Sequence, residues 1–480
     1  LQEKSTLKTY KLTKQTNTVI SLAELLITMI STMFGDYLLG ALLIFCLSLL
    51  RFILKFSNGS FFLELIYLHA NITCLLMPYI GYIYFSKSSA LARLWVKSMP
   101  VTEDVYFGYM IPAIVCMGFA FFLLRKNSRD DETMINPMVS ELKTNIQQIP
   151  TGSIIVLSIA GLIAHAIEPF LPDSLQQVNS FLYFSFYTSI FYIFYYTNFP
   201  YKKIFLSFAI LFVIKDALSS GMFTIIAYMG GIFLILILAG KKISFTKRLL
   251  FLVIAFSFVG FLQLFKTNWR SATRRGNTDV SVVLATTAAK SNDNRVETVL
   301  FPLYLRMNQG FNIGLIMRRI PSNVDYLGGN YLALSFASAF VPRLLWPDKP
   351  MAGGQYNMKI YTGVEIKGWS TNVGPLGEAY GNFGVEGGCF YMIVFGLFIR
   401  LCYTGFLKIC RKQPIFFVWM PVLFFQVIYV METDSLQAFN SLAKGSVFLF
   451  MISKLLPLLF PKKKSHETGT HIQKAEPAVL

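Results

Sequence analysis

Residues 247–276 read KRLLFLVIAFSFVGFLQLFKTNWRSATRRG. Two basic residues open the stretch, an apolar run fills 249–265, and Lys266, Arg270 and Arg274 close it. A charge-free run of this kind suits a helix crossing the hydrocarbon core of a bilayer, which takes about 20 mostly apolar residues. Basic residues at its ends suit headgroup height.

The same pattern recurs along all 480 residues. Candidate spans fall near 18–34, 37–56, 61–85, 105–124, 152–171, 178–199, 204–219, 220–239, 249–265, 387–409, 415–432 and 439–460. The first pair and the 204–239 pair abut, and each reads equally as one long or broken helix. Only 14% of residues are charged and 54% are hydrophobic, too few polar residues to cover a soluble surface and too many apolar ones for disorder. The expected fold is an all-α polytopic membrane protein of about 12 transmembrane helices with one large, partly helical outer loop. Residues 1–265 hold nine helices with short loops, 266–386 the large loop, 387–461 three more helices, and 462–480 a disordered tail. The longest inner loop, 125–151, has room for at most a small helix.

The formal charge of +18 is assigned to the membrane surface, where lysines and arginines flank spans and meet anionic lipid; no basic soluble domain suggests nucleic acid. With the N-terminus inside, every inner turn is basic, from Lys4, Lys8, Lys11 and Lys14 to Lys462–Lys464. The loop 86–104, with Lys87, Arg93 and Lys97, is the discordant outer one. Both termini are expected in the cytoplasm, and the first span is expected to be an anchor. The six cysteines lie in or beside apolar runs without a C-x-x-C pair, so they read as small buried apolar residues.

Absences narrow the chemistry. No G-x-x-x-x-G-K-[ST] loop occurs. Residues 266–386 contain no histidine and no D-x-D pair, so neither a metal nor another cofactor is expected. An activated substrate on the outer face must then carry its own leaving group, as a polyprenyl diphosphate does.

The segment 266–386 holds eight arginines, and long ordered loops tend to carry function. Lys266, Arg270 and Arg274 stand at i, i+4 and i+8, on one face of a continuing helix, about 6 Å apart per step. Such a stripe suits a diphosphate and equally a snorkelling collar. In 299–321, VLFPLYLRMNQGFNIGLIMRRIP, the residues Arg306, Arg318 and Arg319 lie on an apolar stretch; this reads as the second half of an anion clamp or as an interfacial helix. In 342–350, PRLLWPDKP, three prolines stiffen a turn holding Arg343 and Lys349, with Trp346 for a sugar face or the interfacial belt. In 371–388, TNVGPLGEAYGNFGVEGG, glycines allow tight turns and close backbone approach around Glu378, Tyr380 and Asn382. Glu378 is the candidate general base; a salt bridge to an arginine is the plainer alternative. His165 with Glu168, and Glu24, Glu64, His69, Lys215 and Asp216, fall in or near apolar runs and are functional candidates by their cost.

The stretches FLQLFKTNWR, VPRLLWPDKP and GPLGEAYGNFGVEGG, with the many spans and late outer loop, resemble the oligosaccharide repeat-unit polymerases of bacterial surface polysaccharides (O-antigen polymerase, Wzy-type). The resemblance implies a membrane glycosyltransferase of the bacterial inner membrane, with the large loop periplasmic. It implies transfer of a growing glycan from undecaprenyl diphosphate to a lipid-linked repeat unit, by a metal-independent single displacement. Partners would be the lipid-linked donor and acceptor, membrane lipids, a chain-length regulator and a flippase. Lys266, Arg270, Arg274, Arg318 and Arg319 would bind the diphosphate, Arg306, Arg343, Lys349, Tyr380 and Asn382 the substrate, and Glu378 would take the proton. The family often carries an arginine after a small-residue pair in a middle span; ALSSGMF around Ser219–Phe223 has none. Rival readings are an O-antigen ligase, expected to use an outer-loop histidine, and a polysaccharide flippase or other transporter.

Overall fold

A computed structural model describes residues 2–56, 61–85, 89–90, 98–124, 129–220, 225–239, 241, 243–276, 279–291, 296–341, 345–350, 353–367 and 371–461. Among these the regular structure is entirely helical. Seven helices are long and apolar enough to cross a membrane. They are α1 (Gln2–Phe34, apolar from Thr16), α2 (Tyr37–Lys55), α3 (Phe62–Tyr84), α4 (Glu103–Phe122), α6 (Thr151–Ile167, extended to Phe170 by a 3-10 turn), α10 (Phe245–Arg274) and α16 (Gly374–Lys412).

Helices also occupy the other expected spans: α7 (Asp173–Tyr195), α8 (Lys202–Ser220), α9 (Gly230–Leu238, preceded by a π turn at Ile225–Met229), α17 (Met420–Ile428) and α18 (Ser435–Leu455). These are shorter or carry more polar side chains, such as Gln176, Gln177 and Asn179 in α7. The abutting first pair is two helices. Gly35, at φ 75°, ends α1, and the Asp36 carboxylate accepts from the Leu39 amide at 3.3 Å to start α2, an N-cap.

The bundle centre is α3 and α4, each with 72% of its apolar window buried, against 22% for α1 and α10. Small residues bring helices together there. A Cβ on Gly118 would lie 2.8 Å from the Tyr67 ring, and one on Gly396 of α16 would lie 2.9 Å from Ala120. The outward faces of α1 and α10 expose Leu22, Leu26, Met29, Leu250, Val253 and Phe258, an apolar surface suited to lipid. Basic side chains cap the C-terminal ends of α7 and α2. Lys202 donates to the Phe194 and Tyr196 carbonyls, and Arg248 donates to those of Ile53 and Leu54.

Two expectations are corrected. The loop 125–151 contains α5 (Arg129–Ile146), an 18-residue helix that buries Ile135, Met138, Val139, Leu142 and Ile146 at helical spacing. The large segment, expected to be partly helical, holds α11 (Val280–Ser291), α12 (Val296–Met307), α13 (Gln309–Arg319), α14 (Asn330–Phe340) and α15 (Gly354–Thr362). The glycine-rich stretch is helix too. From Gly374 it is the start of α16, with non-helical backbone inside the helix only at Gly384. Its glycines do permit close approach, but to neighbouring helices: a Cβ on Gly377 would lie 2.8 Å from Ile316, and one on Gly381 2.7 Å from Tyr361. Arg343, Lys87, Arg93, Lys97 and the tail 462–480 lie outside the described residues.

Candidate functional site

The site is organised by the short turn between α17 and α18. A 3-10 turn, Val430–Glu432, follows α17, and Asp434 N-caps α18 by accepting from the Gln437 amide at 2.6 Å. The start of α16 presses on this turn. The Gly374 amide donates to the Thr433 carbonyl at 3.1 Å, and only glycine fits beside the Met431 carbonyl at that φ of +70°. The turn delivers two buried carboxylates into two different networks.

Glu432 enters the first. Its Oε2 lies 2.6 Å from Arg306 Nη2 of α12. Its Oε1 accepts from the Tyr228 hydroxyl and lies 3.2 Å from His69 Nε2. The Tyr228 hydroxyl is 3.3 Å from the same His69 nitrogen, and its ring stacks on Tyr429 at 4.5 Å. Glu432 is 4% exposed while Arg306 is 30% exposed, so the pair reaches from the interior toward the open. The Glu432 charge holds the Arg306 guanidinium above its ordinary pKa in spite of burial. Lys266 of α10, partly buried, lies within electrostatic range of Arg306, Arg270 and Glu432. The Glu432 carboxylate therefore has two basic side chains near it, Arg306 and Lys266, with Arg270 near Lys266, and basic groups outnumber the acid. Two π turns border this network: Tyr228 sits in Ile225–Met229, and His69 lies three residues before Ile72–Leu76 of α3. Such turns recur at functional sites.

Asp434 enters the second network. Its Oδ2 accepts from Asn372 at 2.8 Å, Asn357 at 3.1 Å and the Gly353 amide at 3.2 Å. Asn312 extends the net by donating to the Asn372 carbonyl and the Thr371 hydroxyl, each at 2.8 Å. Burial nevertheless pushes the Asp434 carboxyl above the usual aspartate range, against the donors that Gln437, Asn372, Gly353 and Asn357 supply. This network ties α13 and α15 to the first turn of α18.

The expected site residues separate accordingly. Glu378 is 2% exposed, and its Oε2 accepts from the Ser435 amide at 3.0 Å, where it shares the start of α18 with Asp434. Asn382 donates to the Tyr361 hydroxyl at 2.9 Å and the Glu378 carbonyl at 2.7 Å, and accepts from the Gly329 amide. Tyr380 is buried against Tyr109 at 5.0 Å. Lys349 is buried and donates to the Ser338 and Val341 carbonyls, closing α14. Arg319 likewise donates to the Ile360 carbonyl at 2.9 Å at the end of α15. Arg318 is exposed at the end of α13.

Helix α10 continues unbroken to Arg274, so the Lys266–Arg270–Arg274 stripe exists as one helix face. The opposite face packs inward, with Trp269 Nε1 donating to the Leu218 carbonyl at 2.9 Å and Asn268 to the Thr287 hydroxyl at 3.0 Å. Arg270 and Arg274 are exposed. Lys266 and Arg306 are thus the expected residues that meet at a partly buried anion-attracting position. Glu432 and Tyr228, which complete it, carried no local signal.

Two further buried clusters involve flagged residues. Glu24 of α1 pairs with Arg51 of α2 at 2.7 Å, both 1% exposed, with the guanidinium 4.0 Å over the Phe122 ring. His165 of α6 lies 3.1 Å from Asp216 of α8 and stacks at 4.7 Å on Tyr183 of α7; its nearer sequence neighbour Glu168 is 3.9 Å away. Among the described residues no three His, Cys, Asp or Glu side chains gather around a metal position.

Compared with known families, residues 132–405 match the Domain of unknown function (DUF8712), more than half of the chain, so the chain belongs to that family. No curated protein and no solved structure matches it.

Proposed function

We propose that this DUF8712 protein is a polysaccharide polymerase of the bacterial inner membrane, a glycosyltransferase that moves a growing glycan from undecaprenyl diphosphate onto a lipid-linked repeat unit. In this reading some twelve helices span the bilayer, both termini are cytoplasmic, and α11–α15 lie on the periplasmic side. The observation that carries it is the position of Arg306 and Lys266. They bring surplus positive charge to the junction of an apolar helix with the large segment, and Arg306 is oriented by buried Glu432.

The chemistry follows from that charge. A sugar joined to a diphosphate leaves with the electron pair on a phosphate oxygen. Preorganised cations at that oxygen are worth several kcal/mol in the transition state. Lys266 and Arg306 provide them at the partly buried position, and Arg270 and Arg274 extend the stripe along α10 for the remaining phosphate and headgroup charge. The exposed apolar faces beside α10 suit lateral entry of both polyprenyl chains. In this reading Glu378 serves the architecture by holding the first turn of α18, and the proton acceptor is sought within the basic site itself.

The test is a polymerisation assay. Purified protein in vesicles is given lipid-linked saccharide extracted from cells in which the gene is deleted, and product length is read on gels. A ladder from the wild type and single units from Arg306→Ala and Lys266→Ala are expected. Deletion cells should display surface glycan of one repeat unit; complete loss of glycan from the outer face would make the protein a flippase and overturn the reading.

A further inference from the structure

We propose that His69 is the general base of the transfer step, accepting the acceptor hydroxyl's proton on Nδ1. This rests on the glycosyl-transfer reading above.

The geometry is that of a carboxylate–histidine dyad. His69 Nε2 meets Glu432 Oε1 at 3.2 Å. A carboxylate can only accept there, so Nε2 carries a proton, and in the neutral ring Nδ1 keeps its lone pair. Nδ1 is buried, and among the described residues it has no hydrogen-bond partner. Buried polar atoms are nearly always paired, and an exception calls for a reason. The ring is held in orientation. It stands edge-on to Tyr228, with centroids 5.4 Å apart at 90°, and the Thr73 hydroxyl ties back to its backbone carbonyl at 2.9 Å inside the π turn.

The other acids near the reaction are occupied. Glu432 takes contacts from Arg306, His69 and Tyr228. Glu378 accepts from Ser435. The charged and titratable groups around His69 are Glu432 from the turn after α17, Arg306 from α12, Lys266 from α10, Tyr228 from the π turn before α9, Tyr429, and Glu64 and Cys74 on its own helix. His69 Nδ1 is thus the acceptor position left open beside the cations proposed to hold the diphosphate.

The step balances as follows. The acceptor hydroxyl oxygen forms a bond to the donor's anomeric carbon, and the bond from that carbon to the diphosphate oxygen breaks. Polyprenyl diphosphate departs with the electron pair toward Lys266 and Arg306. The hydroxyl proton passes to His69 Nδ1, the imidazolium is balanced by Glu432, and the proton is lost to water as product leaves.

The experiment uses His69→Gln, whose amide nitrogen keeps the contact to Glu432 but offers no base. In the vesicle assay its turnover should fall 10²- to 10⁴-fold, the usual worth of general-base catalysis. Its melting temperature and its binding of undecaprenyl diphosphate should stay near wild type. Imidazole should restore part of the rate to His69→Ala. Wild-type kcat/KM should show a limb that rises with pH, and that limb should vanish in His69→Gln. A folded His69→Gln enzyme within tenfold of wild type overturns the inference while leaving polymerisation intact. If neither variant folds, a wild-type profile without that rising limb overturns it. Failure of the wild type to extend the lipid-linked saccharide overturns the function and this inference together.

Discussion

The α-carbon of Gly374 faces the Met431 carbonyl so closely that a Cβ there would lie 2.5 Å from the oxygen. That contact, with the Gly374 amide on Thr433, sets the turn that aims Glu432 and Asp434. Gly374→Ala must both adopt φ +70° and displace the carbonyl. The backbone term costs about 1–2 kcal/mol and the crowding about 1–3 kcal/mol. A melting temperature in detergent several degrees below wild type is expected; an unchanged value would show that the turn is not held by this approach.

Arg306 and Glu432 should behave as one unit. Removing either partner leaves the other's charge poorly compensated. The cost for a fully buried pair is about 3–5 kcal/mol, and Arg306 is 30% exposed, so the lower end applies. Glu432→Ala and Arg306→Ala should each destabilise, and the double variant should lose clearly less than their sum. Additive losses in a melting-temperature cycle would mean that the pair is not coupled.

Much of the helical architecture was readable because apolar runs and their basic flanks are local properties. The continuation of α10 to Arg274 follows from such signals, whereas the break at Gly35–Asp36 was left open between one helix and two. The glycine-rich stretch misled for a physical reason. Glycine is a poor helix former on propensity, yet at Gly377 and Gly381 the absence of a side chain is what lets Ile316 and Tyr361 approach. The site was legible only in part. Lys266, Arg306 and His69 each stood out by charge in apolar surroundings. Their meeting point is Glu432, an acid whose partners come from three distant parts of the chain, and no spacing encodes that.

Lys349 tests whether an isolated basic residue of the large segment binds substrate or holds structure. Its ammonium closes α14 through two carbonyls, and hydrogen bonds from a charged donor are worth about 1.5–3 kcal/mol. Lys349→Met should lower the melting temperature but leave polymer length unchanged in the surviving protein. Shortened polymer at full stability would return Lys349 to the substrate.

The basic stripe makes a graded prediction. Undecaprenyl diphosphate binding in nanodiscs should weaken most for Lys266→Ala and Arg306→Ala, less for Arg270→Ala, and little for Arg318→Ala, which is exposed on α13. Arginine-to-lysine at position 306 should restore binding poorly, because a lysine cannot hold Glu432 and a phosphate oxygen through one planar fork. Equal, salt-screened losses across all four positions would favour a general lipid-facing collar.

Glu378 separates architecture from chemistry. Its Oε2 receives the Ser435 amide at the first turn of α18, and a glutamine side chain can still offer an oxygen there. Glu378→Gln should therefore fold and retain polymerisation within about tenfold. Glu378→Ala should leave a buried amide unpaired and cost about 1–3 kcal/mol, read as a lower melting temperature. The base role demands the opposite pattern: Glu378→Gln as stable as wild type, binding lipid-linked donor normally, and making no chain longer than one repeat. That outcome would also displace His69, since one transferred proton needs one acceptor. Measured side by side under the same vesicle conditions, the Glu378→Gln and His69→Gln turnovers decide between the two.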